Sequence, residues 1–293
     1  MAARPVRTER YGQLEGQEGD LYLPALPRPP VVCVLHGGFW RLPFGRDQLH
    51  AVALDLARRG FAVWNLEYRR LGTPTAGWPG TFDDVTAGIE HLSRLAADGI
   101  ELDLDRVAVV GHSAGGHLAL WSAACQRADR KNGVARRVRI GAVVGQAPVA
   151  DLVQAHALAL GDGAVAELLG GTPAERPAQY QAASPHLMLP FDVPQLVIHG
   201  GKDDAVPLEV ARSYTRAARA AGDQIELLEL PDAGHMDFLD PMSDAHAALC
   251  HWLARSPCKA VNVETQPPPL RMPVSGTPAA DAPVAPLPGI AGR

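Results

Sequence analysis

The sequence predicts an α/β fold with a mostly parallel central sheet and helices on both faces. Short apolar runs alternate along the chain with longer segments of helical periodicity, which is the pattern of parallel strands joined by crossover helices. The chain has 293 residues, enough for one large domain, and leaves little room for a second full domain. We therefore expect one α/β domain to contain most of the chain.

The individual elements follow from local patterns in chain order. The predicted strands are at about residues 31–36, 61–66, 106–110, 139–146, 195–199 and 225–230. The predicted helices are at about residues 46–58, 80–96, 115–127, 207–221 and 241–254. One or two antiparallel strands are expected before them, within residues 7–23. The first helix is expected to end at Gly60, because glycine commonly follows the last helical turn.

Two stretches depart from this alternation. Residues 151–190 hold turn residues around short helical pieces, as in "GDGAVAELLGGTPAERPAQYQAASP", and predict a partial cap inserted over the sheet's edge. From Pro257 to the end of the chain, nine prolines fall in 37 residues that contain few large apolar side chains. Such a composition cannot bury enough surface to become ordered. The predicted organisation is a domain over residues 1–256 and a Pro-rich disordered tail over 257–293.

Composition excludes several partners. The net charge is −5 and both signs are interspersed, so no basic stripe is available for a nucleic acid or an anionic membrane. No window is apolar enough for a membrane span and the first residues lack the apolar core of a signal peptide, so a cytoplasmic location is expected. The four cysteines form no C-x-x-C pair, which predicts reduced thiols and no zinc site. No metal or cofactor is predicted.

The segment "VAVVGHSAGGHLAL" carries the strongest chemical signal. A β-branched run leads into Gly111-His112-Ser113-Ala114-Gly115, and a helical pattern follows at once. A strand, a tight turn and a helix in this order form a nucleophile elbow, which holds its serine exposed on a strained turn. Ser113 is therefore the predicted nucleophile. The alternative is an ordinary helix-capping serine.

A serine nucleophile needs a base to take its proton and an acid to orient that base. The strand "QLVIH" is followed by a loop with Asp203 and Asp204, and a later strand and short turn are followed by His235. An acid just past a strand's carboxyl end lies on the same sheet edge as the elbow. The order Ser113, acid, His235 is typical of this class of fold. From position alone, both aspartates remain candidates for the acid.

Four segments, "HGGFW", "GHSAGG", "HGGKDDAVP" and "DAGHMDF", resemble the α/β-hydrolase superfamily. The resemblance covers about residues 7–255 and is strongest to the branch of kynurenine formamidase-like enzymes, small carboxylesterases and prolyl-oligopeptidase-like domains. It implies that the acid is Asp203, the fifth residue of H-G-x-x-D-x-x-V-P. It also implies an oxyanion hole made by the N–H groups of Gly38, Phe39 and Ala114. Phe39 stands where lipase loops have a third glycine, but an N–H exists either way.

The resemblance implies a serine hydrolase that cleaves small esters or aryl amides with short acyl groups through an acyl-enzyme intermediate. Arylformamidase is the specific alternative. A binding protein on a hydrolase scaffold and a lyase or haloperoxidase-like activity on the same triad also remain open. The expected partner is a small-molecule ester or amide, and the oligomeric state is open. Trp40, Trp78 and Met236 flank the predicted site and are candidate pocket residues, with plain core packing as the alternative.

Several other polar residues lie near the predicted site. His36 is expected to hold the glycine loop by hydrogen bonds rather than act as a base, because it precedes the elbow and the sequence places no acid for it. His112, His117 and His199 are expected to be packing or loop-tethering residues. Glu67 and Arg69 follow a strand, where a structural ion pair is favoured over contact with a polar substrate end.

Overall fold

The structure is a computed structural model that describes residues 7–260. Within this range eight strands form one sheet: β1 (Arg7–Arg10), β2 (Glu18–Tyr22), β3 (Pro30–Leu35), β4 (Ala62–Leu66), β5 (Asp103–His112), β6 (Ile140–Gln146), β7 (Gln195–Gly200) and β8 (Ile225–Leu230). Eight α-helices accompany them in the described range: α1 (His50–Arg58), α2 (Gly80–Ala97), α3 (Ala114–Lys131), α4 (Leu152–Ala157), α5 (Ala164–Leu169), α6 (Pro177–Ala183), α7 (Leu208–Ala220) and α8 (Asp244–Arg255). Most of the predicted tail lies outside the described residues.

The sheet has the strand order β1-β2-β4-β3-β5-β6-β7-β8. The two strands at the start of this order pair antiparallel, and the other six are mutually parallel. The order reverses around β3, with β4 on one side and β5 on the other. At such a reversal the loops after neighbouring strands diverge and leave a crevice at the carboxyl ends. The predicted α/β class with a mostly parallel sheet is confirmed.

Strand β3 shows how the sheet separates two apolar layers. All six of its residues are buried, as expected for a strand covered on both faces. Val31, Cys33 and Leu35 belong to the apolar cluster that includes residues of α2, α3 and α7, whereas Val32 and Val34 belong to the cluster with α1 and α8. Side chains alternate between the faces of a strand, so β3 anchors both layers. It therefore holds its carboxyl end, and the loop that follows, in a fixed position.

Element boundaries differ from the predictions in identifiable ways. The predicted helix at 46–58 begins with a 3₁₀ turn over Arg46–Leu49 before α1 starts. The strand predicted at 106–110 is longer at both ends. Asp103 pairs with Pro30 of β3 at one end, and His112 pairs with Gln146 of β6 at the other. Gly60 follows α1 with a left-handed φ of 95°, which agrees with its predicted role at the helix end.

The predicted insertion at residues 151–190 contains α4, α5 and α6. It contacts loops at the carboxyl edge of the sheet: the guanidinium of Arg41 donates to the carbonyl of Gly161 at 2.7 Å, and the backbone N–H of Trp78 donates to the carbonyl of Leu168 at 2.7 Å. The insertion is therefore tied to the same edge as the elbow. Its role as a partial cap stays a prediction.

The end of the described chain packs beyond the predicted boundary at residue 256. Cys258 is 1% exposed and belongs to the apolar cluster of α1 and α8, and the carbonyl of Lys259 accepts a hydrogen bond from Arg106 at 2.8 Å. Among residues 7–260, no helix combines the length and the apolar character needed to cross a bilayer.

Two truncations separate this packing from the Pro-rich tail. Ending the chain after Ala260 should leave the melting temperature nearly unchanged, because residues 261–293 offer few large apolar groups. Ending it after Ser256 should lower the melting temperature by about 2–4 °C, since burying one small apolar side chain contributes on the order of 1 kcal/mol. Differential scanning calorimetry measures both. A loss of several degrees in the chain that ends at Ala260 would contradict the predicted disorder of the tail.

Candidate active site

Ser113 lies on the sharp turn between β5 and α3. Its backbone adopts φ 56° and ψ −117°, a region that non-glycine residues rarely occupy, and its N–H donates to the carbonyl of Gln146 at 2.8 Å. A β-carbon on Gly111 would overlap the carbonyl of Gly115, and one on Gly115 would overlap the carbonyl of Leu35. Both glycines are therefore required for the tight packing that the sequence predicted for this turn.

Asp203 follows β7 and holds a buried carboxylate, whose side chain is 1% exposed. One oxygen accepts the backbone N–H groups of Ala205 and Val206 at 3.0 and 2.8 Å, and the other lies 2.8 Å from Nδ1 of His235. Burial raises the pKa of Asp203, but hydrogen bonds from His235 and Val206 outweigh the burial, so the net pKa is lower than usual. The carboxylate is therefore ionised at neutral pH.

The neighbouring aspartate has a different environment. Asp204 is exposed, and in the described part of the chain it makes no hydrogen bond or ion pair to His235. Around Asp203 the loop is fixed by His199, whose Nε2 donates to the carbonyl of Val206 at 2.8 Å and lies 3.4 Å from the Asp203 carboxylate. The geometry therefore agrees with the choice of Asp203 that the sequence resemblance implied.

His235 begins the 3₁₀ turn His235–Leu239 after β8, and it is 9% exposed. Nε2 of His112, the residue before Ser113, donates to the His235 carbonyl at 2.9 Å, and the two rings lie 4.6 Å apart. Burial, followed by the charge of His235, lowers the pKa of His112 to about 3. His112 is thus a neutral donor that ties the elbow to the backbone of the candidate base, which matches the predicted tethering role.

The loop after β3 bends beside Ser113. Gly38, Phe39 and Trp40 all have left-handed φ values, of 96°, 49° and 57°. A β-carbon on Gly37 would lie 3.1 Å from Cβ of Ser113, which shows how closely the loop approaches the serine. Two non-glycine residues in this conformation store strain of the order of 1 kcal/mol or more each, and such strain clusters at functional sites.

Three backbone donors remain available near the serine. Within residues 7–260 the N–H groups of Gly38, Phe39 and Ala114 have no acceptor in the protein. The N–H of Ala114 is one of the four free donors at the start of α3. These are the groups that the sequence resemblance implied for an oxyanion hole, and that role stays a prediction.

His36 has an acid partner that the sequence analysis missed. Its Nε2 lies 2.7 Å from Oε1 of Glu67, and both side chains are buried. The expectation that no acid faces His36 was therefore wrong, as was the expected pair of Glu67 with Arg69, because Arg69 pairs with Asp84 instead. Strand pairing explains this contact. Leu35 of β3 pairs in register with Leu66 of the parallel strand β4, so the residues that follow them, His36 and Glu67, lie side by side.

The three candidate pocket residues have different environments. Trp40 is fully buried and packs edge-on against His117, with ring centroids 5.2 Å apart. Trp78 is half-buried and contacts Phe82 of α2 at a centroid distance of 4.9 Å. Met236 is 58% exposed beside His235. Trp40 is a core residue, whereas the accessible Trp78 and Met236 remain candidates for a pocket wall.

One other cluster in the described residues has metal-ligating side chains. Asp55 of α1 and His246 and Cys250 of α8 bring ligand atoms within 4.8 Å of one another. The Asp55 carboxylate accepts hydrogen bonds from His246 and from the guanidinium of Arg59. Burial raises the pKa of the Cys250 thiol to about 12, so it is protonated at neutral pH. The cluster is stabilised by its own hydrogen bonds, and Arg59 already neutralises the carboxylate that a cation would need.

A family model, BD-FAE, matches residues 20–217 of the chain. The chain belongs to the BD-FAE family. Esterase LipC of Mycobacterium tuberculosis is 30% identical over 264 residues, which cover 84% of this chain and 64% of LipC. Kynurenine formamidase of Danio rerio is 29% identical over 113 residues, 37% of this chain and 35% of that protein. Among solved structures, an acetyl ester-xyloside bifunctional hydrolase from Caldicellulosiruptor lactoaceticus has a TM-score of 0.65 at 25% identity, covering 80% of this chain and 87% of that one.

The family match confirms the predicted α/β-hydrolase fold. The BD-FAE chain spans 64%, 50% and 52% of the lengths of three mycobacterial relatives whose names describe esterases or ester hydrolases. Ser113 and Asp203 lie within the matched range, whereas His235 follows its end at residue 217. The assignment of His235 therefore depends on its contact with Asp203 and on chain order.

Proposed function

We propose that this protein is a serine esterase that hydrolyses small carboxylic esters through an acyl-enzyme intermediate. The observation that most directly supports this proposal is the 2.8 Å hydrogen bond between the buried Asp203 carboxylate and His235, next to the strained turn of Ser113. Membership of the BD-FAE family and similarity to mycobacterial esterases support this reaction class. Asp203 is the acid, His235 the base and Ser113 the nucleophile.

The chemistry follows from these roles. The Ser113 hydroxyl attacks the ester carbonyl carbon while Nε2 of His235 takes its proton, and Asp203 stabilises the resulting imidazolium through Nδ1. His235 then gives the proton to the leaving alkoxide, and water repeats the sequence to release the acid. Negative charge on the carbonyl oxygen is stabilised by the N–H groups of Gly38, Phe39 and Ala114. Each such donor contributes on the order of 3–4 kcal/mol to transition-state binding.

The packing of Phe39 leads us to propose that the part of the active site that binds the acyl group of the substrate is narrow. The half-buried Phe39 ring lies so close to Gly161 that a β-carbon there would overlap it. Arg41, two residues later, binds the carbonyl of Gly161 at 2.7 Å and also contacts Glu167 of α5. The insertion thus holds the Phe39 ring in place beside the N–H groups proposed for the oxyanion hole. Short acyl groups fit this arrangement, and aryl leaving groups gain an apolar wall at Trp78 and Met236.

Arylformamidase is the second candidate function. A formyl group is the smallest acyl group, which suits a site narrowed by Phe39. The motif "HGGFW" and the partial similarity to a kynurenine formamidase favour it. A binding protein on the same scaffold is the third possibility, and it predicts no reaction at Ser113.

Ser113→Ala should lower kcat for p-nitrophenyl acetate at least about a thousandfold and abolish labelling by a fluorophosphonate probe, while the melting temperature stays near that of the native protein. Ser122→Ala is the matched control, because Ser122 is buried in the same helix and bonds to the carbonyl of Ala119. The control should keep both activity and labelling. Substantial turnover by a folded Ser113→Ala protein, or no labelling of the native one, would refute the serine mechanism.

Asp203→Asn should reduce kcat by several orders of magnitude, since an amide stabilises the wrong tautomer of His235. Asp204→Asn is its neighbour control and should change kcat less than about threefold, because its side chain is exposed and, within residues 7–260, makes no hydrogen bond or ion pair to His235. Steady-state kinetics on one ester compares the two variants. If Asp204→Asn proves the more damaging change, the acid is misassigned although a serine mechanism still holds.

The acyl chain length of the ester substrate tests whether the acyl-binding part of the site is narrow. We expect kcat/KM to fall at least about tenfold between p-nitrophenyl butyrate and decanoate, equivalent to about 1.4 kcal/mol in transition-state binding. N-formylkynurenine should be assayed beside the esters: a rate matching the best ester would assign arylformamidase activity, and no detectable rate would leave the esterase assignment. A preference for the decanoate would disprove the narrow site.

A further inference from the structure

His36 presents two ring nitrogens to two oxygen atoms. It follows β3 directly and is fully buried. Its Nε2 lies 2.7 Å from Oε1 of Glu67, and its Nδ1 lies 2.8 Å from the carbonyl oxygen of Gly37. Both oxygens are hydrogen-bond acceptors, but a neutral imidazole carries only one N–H. Because Glu67 is ionised, as its lowered pKa indicates, these two acceptors are both satisfied only by an imidazolium, which donates from both nitrogens.

We propose that His36 is a buried imidazolium and a positioning residue for the oxyanion hole, donating to Glu67 through Nε2 and to the Gly37 carbonyl through Nδ1. The carbonyl of Gly37 and the N–H of Gly38 belong to one trans peptide plane and point in opposite directions. Holding that carbonyl toward His36 therefore aims the Gly38 N–H away from the ring, toward the side of the loop that approaches Ser113. The positioning role rests on the proposed esterase function, whereas the charge state does not.

Glu67 supplies the negative charge that balances the proposed His36 imidazolium. Burial raises the pKa of Glu67, but its hydrogen bond and charge interaction with His36 outweigh burial, and the net pKa is lower than usual. The second carboxylate oxygen accepts the backbone N–H of Arg46 at 3.0 Å. An ionised carboxylate in a buried site requires compensating positive charge, and His36 makes its shortest side-chain contact.

Other charged and titratable groups face the same pair. Arg70, three residues along the chain, places Nε 3.4 Å from Oε1 of Glu67, and the guanidinium of Arg46 lies 3.9 Å from Oε2 but is shared with Glu18 and Asp20. Tyr68 stacks on the His36 ring at 4.3 Å, with 3° between the planes, and its hydroxyl donates to the His36 carbonyl. The two arginines make longer contacts with the carboxylate than His36 does. The Tyr68 hydroxyl also lies 3.5 Å from Nδ1, but its one proton is donated to the His36 carbonyl at 2.8 Å, so it does not supply a donor to Nδ1.

Two other buried histidines provide internal references. His112 and His117 each place Nε2 2.9 Å from a backbone carbonyl, while Nδ1 of each has no partner within residues 7–260. Burial lowers their pKa values to about 3 and about 4. At neutral pH each therefore carries one protonated and one unprotonated nitrogen. His36 differs from both because it has an acceptor on each side.

Nitrogen-15 NMR of the imidazole rings at pH 7.5 tests the charge state in the full-length protein. We expect both His36 nitrogens to resonate in the protonated range, while His112 and His117 each show one unprotonated nitrogen. The His36 signals are assigned by their loss in His36→Asn. Glu67→Gln removes the anionic acceptor and should return His36 to a neutral tautomer. One unprotonated nitrogen on His36 in the native protein would overturn the proposal, and this measurement requires no turnover.

Kinetics test the positioning role with two variants that each keep one donor. Asparagine places its amide near the Nδ1 position and keeps a donor for Gly37, whereas glutamine places its amide near Nε2 and keeps only the bond to Glu67. His36→Gln should lower kcat about ten- to hundredfold with KM changed less than twofold. This loss is smaller than the roughly hundred- to thousandfold loss for removal of one oxyanion donor, because the Gly38 N–H is misaligned rather than removed. His36→Asn should lose markedly less.

Equal kcat losses in the two variants, or a loss confined to KM, would overturn the positioning role. The melting temperature identifies a variant that fails to fold. If His36→Gln fails to fold, the kcat of Glu67→Gln, which removes the partner of Nε2 but keeps His36, tests the positioning role: an unchanged kcat would overturn it. A native protein that hydrolyses no ester but shows both protonated nitrogens refutes the proposed function and the positioning role, while the charge state stands.

Discussion

The close approach between the start of α3 and the end of β3 is the contact on which the rest of the site depends. Gly115 of α3 packs so tightly against the carbonyl of Leu35 that no side chain fits between them. This contact places the free N–H at the start of α3 beside the loop that leaves β3. It also places Gly37 against Cβ of Ser113. The proposed nucleophile and its proposed backbone donors thus follow two adjacent strands whose separation is set by the sheet itself.

Burial and pairing together decide which histidines of this edge can be charged. His235 is paired with an ionised aspartate, and His36 lies between a glutamate and a carbonyl. His112 and His117 are equally buried but face only carbonyls, and burial lowers their pKa values well below the neutral range. The same side chain is therefore a proposed base at His235, a proposed fixed cation at His36 and a neutral tether at His112. The difference lies in whether a carboxylate compensates the cost of desolvating a charge.

The insertion after β6 contacts the loop after β3 through Arg41 and Phe39. Arg41 follows the segment Gly38–Trp40, whose φ values are left-handed, and binds both the Gly161 carbonyl and the Glu167 carboxylate. Phe39 packs on Gly161 from the same segment. Because the loop and the insertion share these contacts, a change in either alters the position of the Phe39 ring. The proposed acyl selectivity therefore depends on pairs of residues, so the effects of substitutions in the two segments should not be additive.

The sequence by itself determined the features that depend on short-range patterns. The alternation of strands and helices predicted the sheet, the "GHSAGG" turn predicted Ser113, and chain order with family resemblance predicted Asp203 and His235. Tertiary structure alone decided the features that depend on which strands are neighbours. His36 and Glu67 are 31 residues apart in the chain, and only the pairing of β3 with β4 shows that they meet. Likewise Trp40 flanks the predicted site in sequence, but packing against His117 makes it core. Periodicity and turn chemistry are local, whereas burial and the partner of each polar group are set by contacts between distant segments.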